Sequence, residues 1–98
     1  MKAFDWNEEK NEQILQERNV SFEEIVWCIE KKDGLLDIID PPNQGKFAHQ
    51  KLFIVALRGY VYIVPFVEDD HEIFLKTIYP SRKLTRKYFG KEGNNETD

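Results

Sequence analysis

The chain predicts an α+β domain with two N-terminal helices, a four-stranded, mainly antiparallel sheet and a basic C-terminal helix. Three observations lead there. Apolar residues recur at helical spacing only before Gly34. From Leu35 to Tyr79 the chain is carried by strand-sized apolar runs separated by short turns. After Pro80 it turns basic and helical.

The first helix is expected over residues 7–17, with Asp5 as N-cap, Glu8 three residues on, and Phe4 and Trp6 pinning its start to the core. The second has the strongest local signal. Ser21-Phe22-Glu23-Glu24 is a capping box, in which hydroxyl and carboxylate satisfy otherwise orphan backbone N–H groups, and Val20 and Ile25 take the staple positions around it. Phe22, Ile25, Val26 and Ile29 then form one apolar stripe, and Gly34 stops the helix. Cys28, the single cysteine, falls inside this pattern and reads as a small packed side chain; no intrachain disulfide can form.

Leu35–Asp40 reads as a strand closed by Pro41-Pro42-Asn43. Lys51–Leu57 and Tyr60–Phe66 form a hairpin across Arg58-Gly59, with Pro65 expected at a sheet edge or bulge because it has no N–H. Ile73–Tyr79 is the fourth strand, and Ser81 caps a third helix from Arg82 to about Phe89. Short links favour an antiparallel meander with one face buried by helices. Residues 1–90 should make a single domain and 91–98 a polar, flexible tail.

Nothing reads as a signal peptide or a membrane-spanning run, so a reduced cytosol is the expected location, with no membrane partner. The net charge of −4 conceals a polarity. Met1–Asp33 holds nine acids against five bases, whereas Lys76–Lys91 holds six bases and no acid. Local fields decide where an anion docks. On the third helix Arg82 with Arg86, and Lys83 with Lys87, are spaced i, i+4, so like charges stack beside a helix N-terminus that is itself partly positive. An anion or an acidic partner would remove that cost. The alternative is a solvated helix face.

Metal-free RNA cleavage needs a base for the 2′-hydroxyl, cations for the phosphorane charge and a proton donor for the leaving oxygen. His49 suits the proton transfer, with a plain loop histidine as the alternative. Lys51 and Arg58 are the further cations. Tyr88 could donate a proton or stack on a base, but an aromatic four residues from Leu84 is more often a core residue. Tyr60, Tyr62 and Phe66 alternate on one strand face and read as core or interface packing. Glu68, Asp69, Asp70 and His71 are contiguous rather than at ligand spacing, so neither a metal nor another cofactor is expected.

These residues resemble a family. Phe4-Asp5-Trp6-Asn7-Glu8-Glu9-Lys10-Asn11 is similar to the Phe-x-Trp-Asp-x-x-Lys-Asn opening of BrnT-type ribonuclease toxins. Val20-Ser21-Phe22-Glu23-Glu24 matches the family's Val-Ser-Phe-Glu-Glu, and Ile78-Tyr79-Pro80-Ser81-Arg82-Lys83-Leu84-Thr85 resembles its Ile-Ile-Ser-Ala-Arg-Lys-Ala-Thr. The likeness runs along nearly the whole chain and is poorest between Gly34 and Gln50. Two departures mark a divergent member: Glu17-Arg18-Asn19 replaces a usual Lys-His-Gly, and His49-Gln50-Lys51 replaces an arginine.

The resemblance implies a RelE-like fold and metal-independent cleavage of mRNA by the toxin of a type II toxin–antitoxin pair. It also implies a DNA-binding antitoxin that covers the site, with DNA contacted only through that antitoxin. By position, Lys51, Arg58, Arg82, Lys83 and Arg86 would be the active-site cations. With the residue chemistry this gives His49, Lys51, Arg82 and Arg86 as catalytic candidates. Arg58, Lys83 and Lys87 are the RNA phosphate-binding candidates, and Tyr88 a proton donor or stacking group. The rival expectation is a non-catalytic protein whose basic helix docks an acidic partner.

Overall fold

The computed structural model describes residues 2–31, 33–40 and 50–90. Its elements are β1 (Ala3–Asp5), α1 (Glu8–Arg18), α2 (Phe22–Lys31), β2 (Leu35–Ile39), β3 (Gln50–Leu57), β4 (Tyr60–Glu68), β5 (Glu72–Leu75), β6 (Tyr79–Pro80) and α3 (Arg82–Phe89). The α+β class and the three helices are as the sequence predicts. The sheet is not: it is six-stranded and mixed, ordered β1-β5-β4-β3-β2, with β6 paired to β4.

Two local causes account for the extra strands. Phe4 does reach the core, but within a three-residue strand that pairs parallel to β5 rather than as part of the helix entry. Such a segment is too short to show an alternation. The first helix therefore starts later than expected, on Asn7, whose side chain accepts from Lys10 N–H at 2.9 Å, while Asp5 belongs to β1. The predicted strand Ile73–Tyr79 is divided in two at Pro65. The Pro65 carbonyl accepts from Lys76 N–H at 2.8 Å, and the ladder on that side of β4 then passes from β5 to β6. The N–H and C=O of one strand residue point to the same side, so Pro65 leaves a donorless position at this break.

The hairpin forms as expected, with β3 and β4 paired antiparallel from Gln50↔Val67 to Leu57↔Tyr60. Arg58 (φ 52°) and Gly59 (φ 79°) take the positive-φ pair that tight hairpins of the primed type require. Gly34 (φ 148°) has a second reason to be glycine: a Cβ there would lie 2.6 Å from the Ala56 carbonyl oxygen, where β2 closes on β3.

Helices cover both faces of the sheet, not one. On the first face Ile14, Val20, Phe22, Ile25 and Cys28 pack against Phe53, Val55, Val64, Phe66, Leu75 and Ile78. Cys28 is thus a buried packing residue, as its helical position predicts. Phe53 and Phe66 stack with centroids 3.9 Å apart, and Trp6 stacks on Phe22 at 5.6 Å. On the second face Leu52, Ile54 and Val61 form a smaller cluster with Ile63 and Leu84 of α3. The run Leu52-Phe53-Ile54-Val55 is apolar at every position because its strand is buried on both sides.

Candidate nucleic-acid interface

α3 is held by its N-terminal half. Ser81 N–H donates to the Val61 carbonyl at 2.9 Å, and Ser81 Oγ accepts from Leu84 N–H at 3.1 Å, the cap the sequence predicts. Thr85 Oγ1 donates to the Ser81 carbonyl at 2.7 Å and accepts from Val61 N–H at 2.8 Å, which stitches the helix to β4. Leu84 is its apolar anchor. No residue of α3 is fully buried.

Everything else on this helix is offered outward. Arg82, Lys83, Arg86, Lys87, Tyr88 and Phe89 are all exposed. Among the described residues none of the four cations lies in a salt bridge, whereas Lys2, Arg18 and Arg58 each hold a carboxylate. Pairs spaced i, i+4 have Cβ atoms roughly 5–6 Å apart, so Arg82/Arg86 and Lys83/Lys87 form two adjacent rows of like charge. The Lys87 ammonium lies 5.7 Å from the centroid of the Tyr88 ring. Tyr88, which its spacing from Leu84 favours for the core, is instead 38% exposed, because the sheet takes up only Leu84 and Thr85 of this helix. Sequence reasoning misses Phe89, which is 49% exposed. An aromatic directly after a lysine-tyrosine pair, with no apolar residue beyond it, is the signal that could have found it.

Lys51 and Arg58 are not gathered here. Lys51 is exposed on β3, and strand alternation gives it the face of Phe53 and Val55, across the sheet from α3. Arg58 is committed elsewhere. Its Nη1 donates to Glu24 Oε2 at 2.5 Å and its Nη2 to the Asn19 carbonyl, tying the hairpin to the α1–α2 corner. The Glu24 hydrogen bond and charge raise the guanidinium pKa above its ordinary value. His49 lies outside the described residues, as do Lys91 and the rest of the expected tail. The described part of the site is therefore Arg82, Lys83, Arg86, Lys87, Tyr88 and Phe89 on a single helix.

The acidic β4–β5 turn offers a shallow depression lined by Val67, Glu68, Asp69, Glu72 and Phe74. Two of its carboxylates are already in use. Glu68 binds Lys2 at 2.6 Å, and Asp69 Oδ1 accepts from the His71 and Glu72 N–H groups at 2.8 Å each, which holds its carboxyl below the usual range. No helix among the described residues is long and apolar enough to cross a membrane. Tyr62 and Phe66 pack in or against the core, in keeping with the packing reading of that strand.

Comparison with protein-family models, with curated proteins and with solved structures gives no match to this chain. The functional reading rests on the residues and on where the fold puts them.

Proposed function

We propose that this protein is the toxin of a type II toxin–antitoxin pair, a RelE-like endoribonuclease of the BrnT kind that cleaves mRNA without a metal. The observation that carries the reading is the outward row of four cations on α3 with no carboxylate partner among the described residues. Like charges spaced i, i+4 repel one another in the free protein, Arg82 and Lys83 also sit at the positive end of the helix, and a phosphate removes that cost. Arg82 and Arg86 would grip the scissile phosphate and neutralise the charge that builds on its oxygens in the transition state. Lys83 and Lys87 would hold the adjoining backbone. Tyr88 would supply a proton to the leaving oxygen, and His49 would act as the base toward the 2′-hydroxyl. Lys51 and Arg58 drop out of the phosphate grip in this arrangement, since they sit away from α3. A DNA-binding antitoxin with an acidic contact segment would cover the same ridge.

The second reading, a non-catalytic protein that docks an acidic partner through α3, draws on the same separation. Among the described residues Tyr88 is the only titratable proton donor on α3 besides its cations. Expression of the chain alone distinguishes the two. A nuclease arrests growth and cuts RNA in a purified, chelator-treated preparation. Arg82→Ala and Arg86→Ala should each slow cleavage about 30- to 1000-fold and restore growth. Full toxicity in both folded variants would sink the reading. Growth without arrest, together with a salt-sensitive complex with the product of the neighbouring gene, would favour the docking protein.

A further inference from the structure

The sheet separates two helical surfaces of opposite charge. On one face lies the α1–α2 pair, where Glu8–Lys31 holds seven acids against three bases; on the other lies α3, with four bases and no acid. Trp27 projects from the acidic side. It is 55% exposed, the most of any large apolar side chain among the described residues, and its neighbours one turn away on α2 are Glu23, Glu24, Glu30 and Lys31. Glu24 is tied to Arg58, but neither Glu23 nor Glu30 lies in a salt bridge among the described residues. Glu23, Trp27 and Glu30 are spaced i, i+4 and i+7, so ring and carboxylates share one side of the helix. An indole face is the best aromatic acceptor for lysine or arginine, and flanking carboxylates favour a cation there and repel phosphate. The two surfaces cannot meet within one molecule, because the sheet lies between them. Between two molecules they can.

We propose that the Trp27 face of α2 receives the basic helix α3 of a second copy of this chain, so that the protein self-associates head to tail. Charge complementarity selects that occupant. The cations of α3 are exposed and have no carboxylate among the described residues, and the acidic row on α2 is the opposite of theirs. The spacing also agrees. Arg82 and Arg86 are separated by a rise of about 6 Å, and Trp27 stands about 6 Å from Glu23 and about 4.5 Å from Glu30 along its own axis. One arginine can therefore lie over the indole while the other reaches a carboxylate. The two surfaces differ and lie on opposite sides of the molecule, so each copy keeps one of them free after pairing. Such a contact is heterologous and adds copies beyond a dimer unless its rotation closes a ring. Exposed ion pairs each contribute little, so the association is weak, concentration-dependent and sensitive to salt. It requires only the exposed charges of α3. Its consequence rests on the reading of α3 as the RNA-binding surface: a copy whose α3 is covered is withheld from RNA.

Sedimentation equilibrium of the full-length protein, without RNA, tests the association apart from the nuclease reading. At about 10 mM salt the mean mass should rise past that of a dimer as concentration increases. At about 1 M salt, where the Debye length falls to about 3 Å, it should return to that of a monomer. Trp27→Ala should weaken the association about 30-fold or more, as the loss of an aromatic anchor does, and Arg82→Ala/Arg86→Ala should abolish it. All three side chains are exposed, so both variants should fold. Mixed in equal amounts, the two variants should form a dimer and stop there, because each brings one intact surface. A dimer that persists in high salt and in both variants would place the contact on an apolar edge, such as Leu36, Ile38 and Ile39 of β2, and overturn the proposal. Association lost in Trp27→Ala and not restored by mixing would mean that Trp27 meets its own copy in a symmetric contact, which also overturns it. A wild-type protein that stays monomeric at every salt excludes the second copy. Trp27-dependent binding of an oligolysine peptide by that monomer would give the face to a foreign basic segment instead. Growth arrest and RNA cleavage by the chain remain the separate test of the nuclease reading.

Discussion

The α1–α2 corner and α3 are built from similar materials, capped helices with charged residues in their first turns, and treat those charges in opposite ways. At the corner the polar groups close on one another. Buried Asn11 donates to Glu23 Oε1 and accepts from Phe22 N–H, each at 2.8 Å. Ser21 and Glu24 exchange capping bonds at 3.2 and 3.1 Å, and Glu24 also accepts from Arg58. On α3 only Ser81 and Thr85 are engaged, and the four cations find no carboxylate among the described residues. The corner uses polar groups to fix the fold. α3 leaves its cations exposed to solvent.

The contrast also sets which motif residues speak of function. Asn11, Ser21, Phe22, Glu23 and Glu24 carry much of the family resemblance, and each of them has a structural task. Arg58, expected to hold phosphate, is the clearest case. Its side chain is spent on the corner, and it sits at positive φ (52°), where a side chain costs conformational energy. A residue of that type is favoured there by its bonds to Glu24 and the Asn19 carbonyl.

The largest effect that would test this division is at the corner. Phe22 is fully buried beneath Trp6, and Phe22→Ala should lower the unfolding free energy by about 3–5 kcal/mol in urea titration. Asn11→Ala comes next, at about 1–3 kcal/mol, because it leaves the Phe22 N–H unsatisfied in a buried place. A decrease below about 0.5 kcal/mol would mean that the corner does not depend on this clamp. Arg58 sharpens the comparison by the order of two variants. Arg58→Gly removes the clamp but relieves the positive φ, whereas Arg58→Ala removes the clamp and keeps the strain. The alanine variant should therefore have the lower urea midpoint; the reverse order would show that backbone conformation does not matter at this turn.

What is legible in the sequence follows the range of the interactions. The capping box, the Ser81 cap and the Arg58-Gly59 turn depend on residues one to three apart, and all three can be read directly. β1 cannot, because its three residues are strand only through their pairing with β5, about 70 positions away. The second covered face is signalled by the unbroken apolar run Leu52–Val55, which departs from the alternation of a one-sided sheet. The basic rows on α3 are visible as i, i+4 spacing. That Lys51 and Arg58 lie apart from them is not, since a strand's face and an ion pair spanning 34 residues are decided by the assembled sheet. Phe89 escapes notice because its exposure depends on how little of α3 the sheet takes up.

The central claim, that α3 withholds its charges from the fold, is tested most directly by one protein measured in two ways. Arg82→Ala/Arg86→Ala should leave the urea midpoint at or slightly above that of the wild type, since an unfavourable like-charge pair is removed. Titrated with single-stranded RNA over a range of salt, the same protein should bind more weakly, and the slope of log affinity against log salt should flatten by about 1.4, roughly 0.7 for each phosphate no longer neutralised. A fall in the urea midpoint comparable to that of Asn11→Ala, with RNA affinity and salt slope unchanged, would contradict the account.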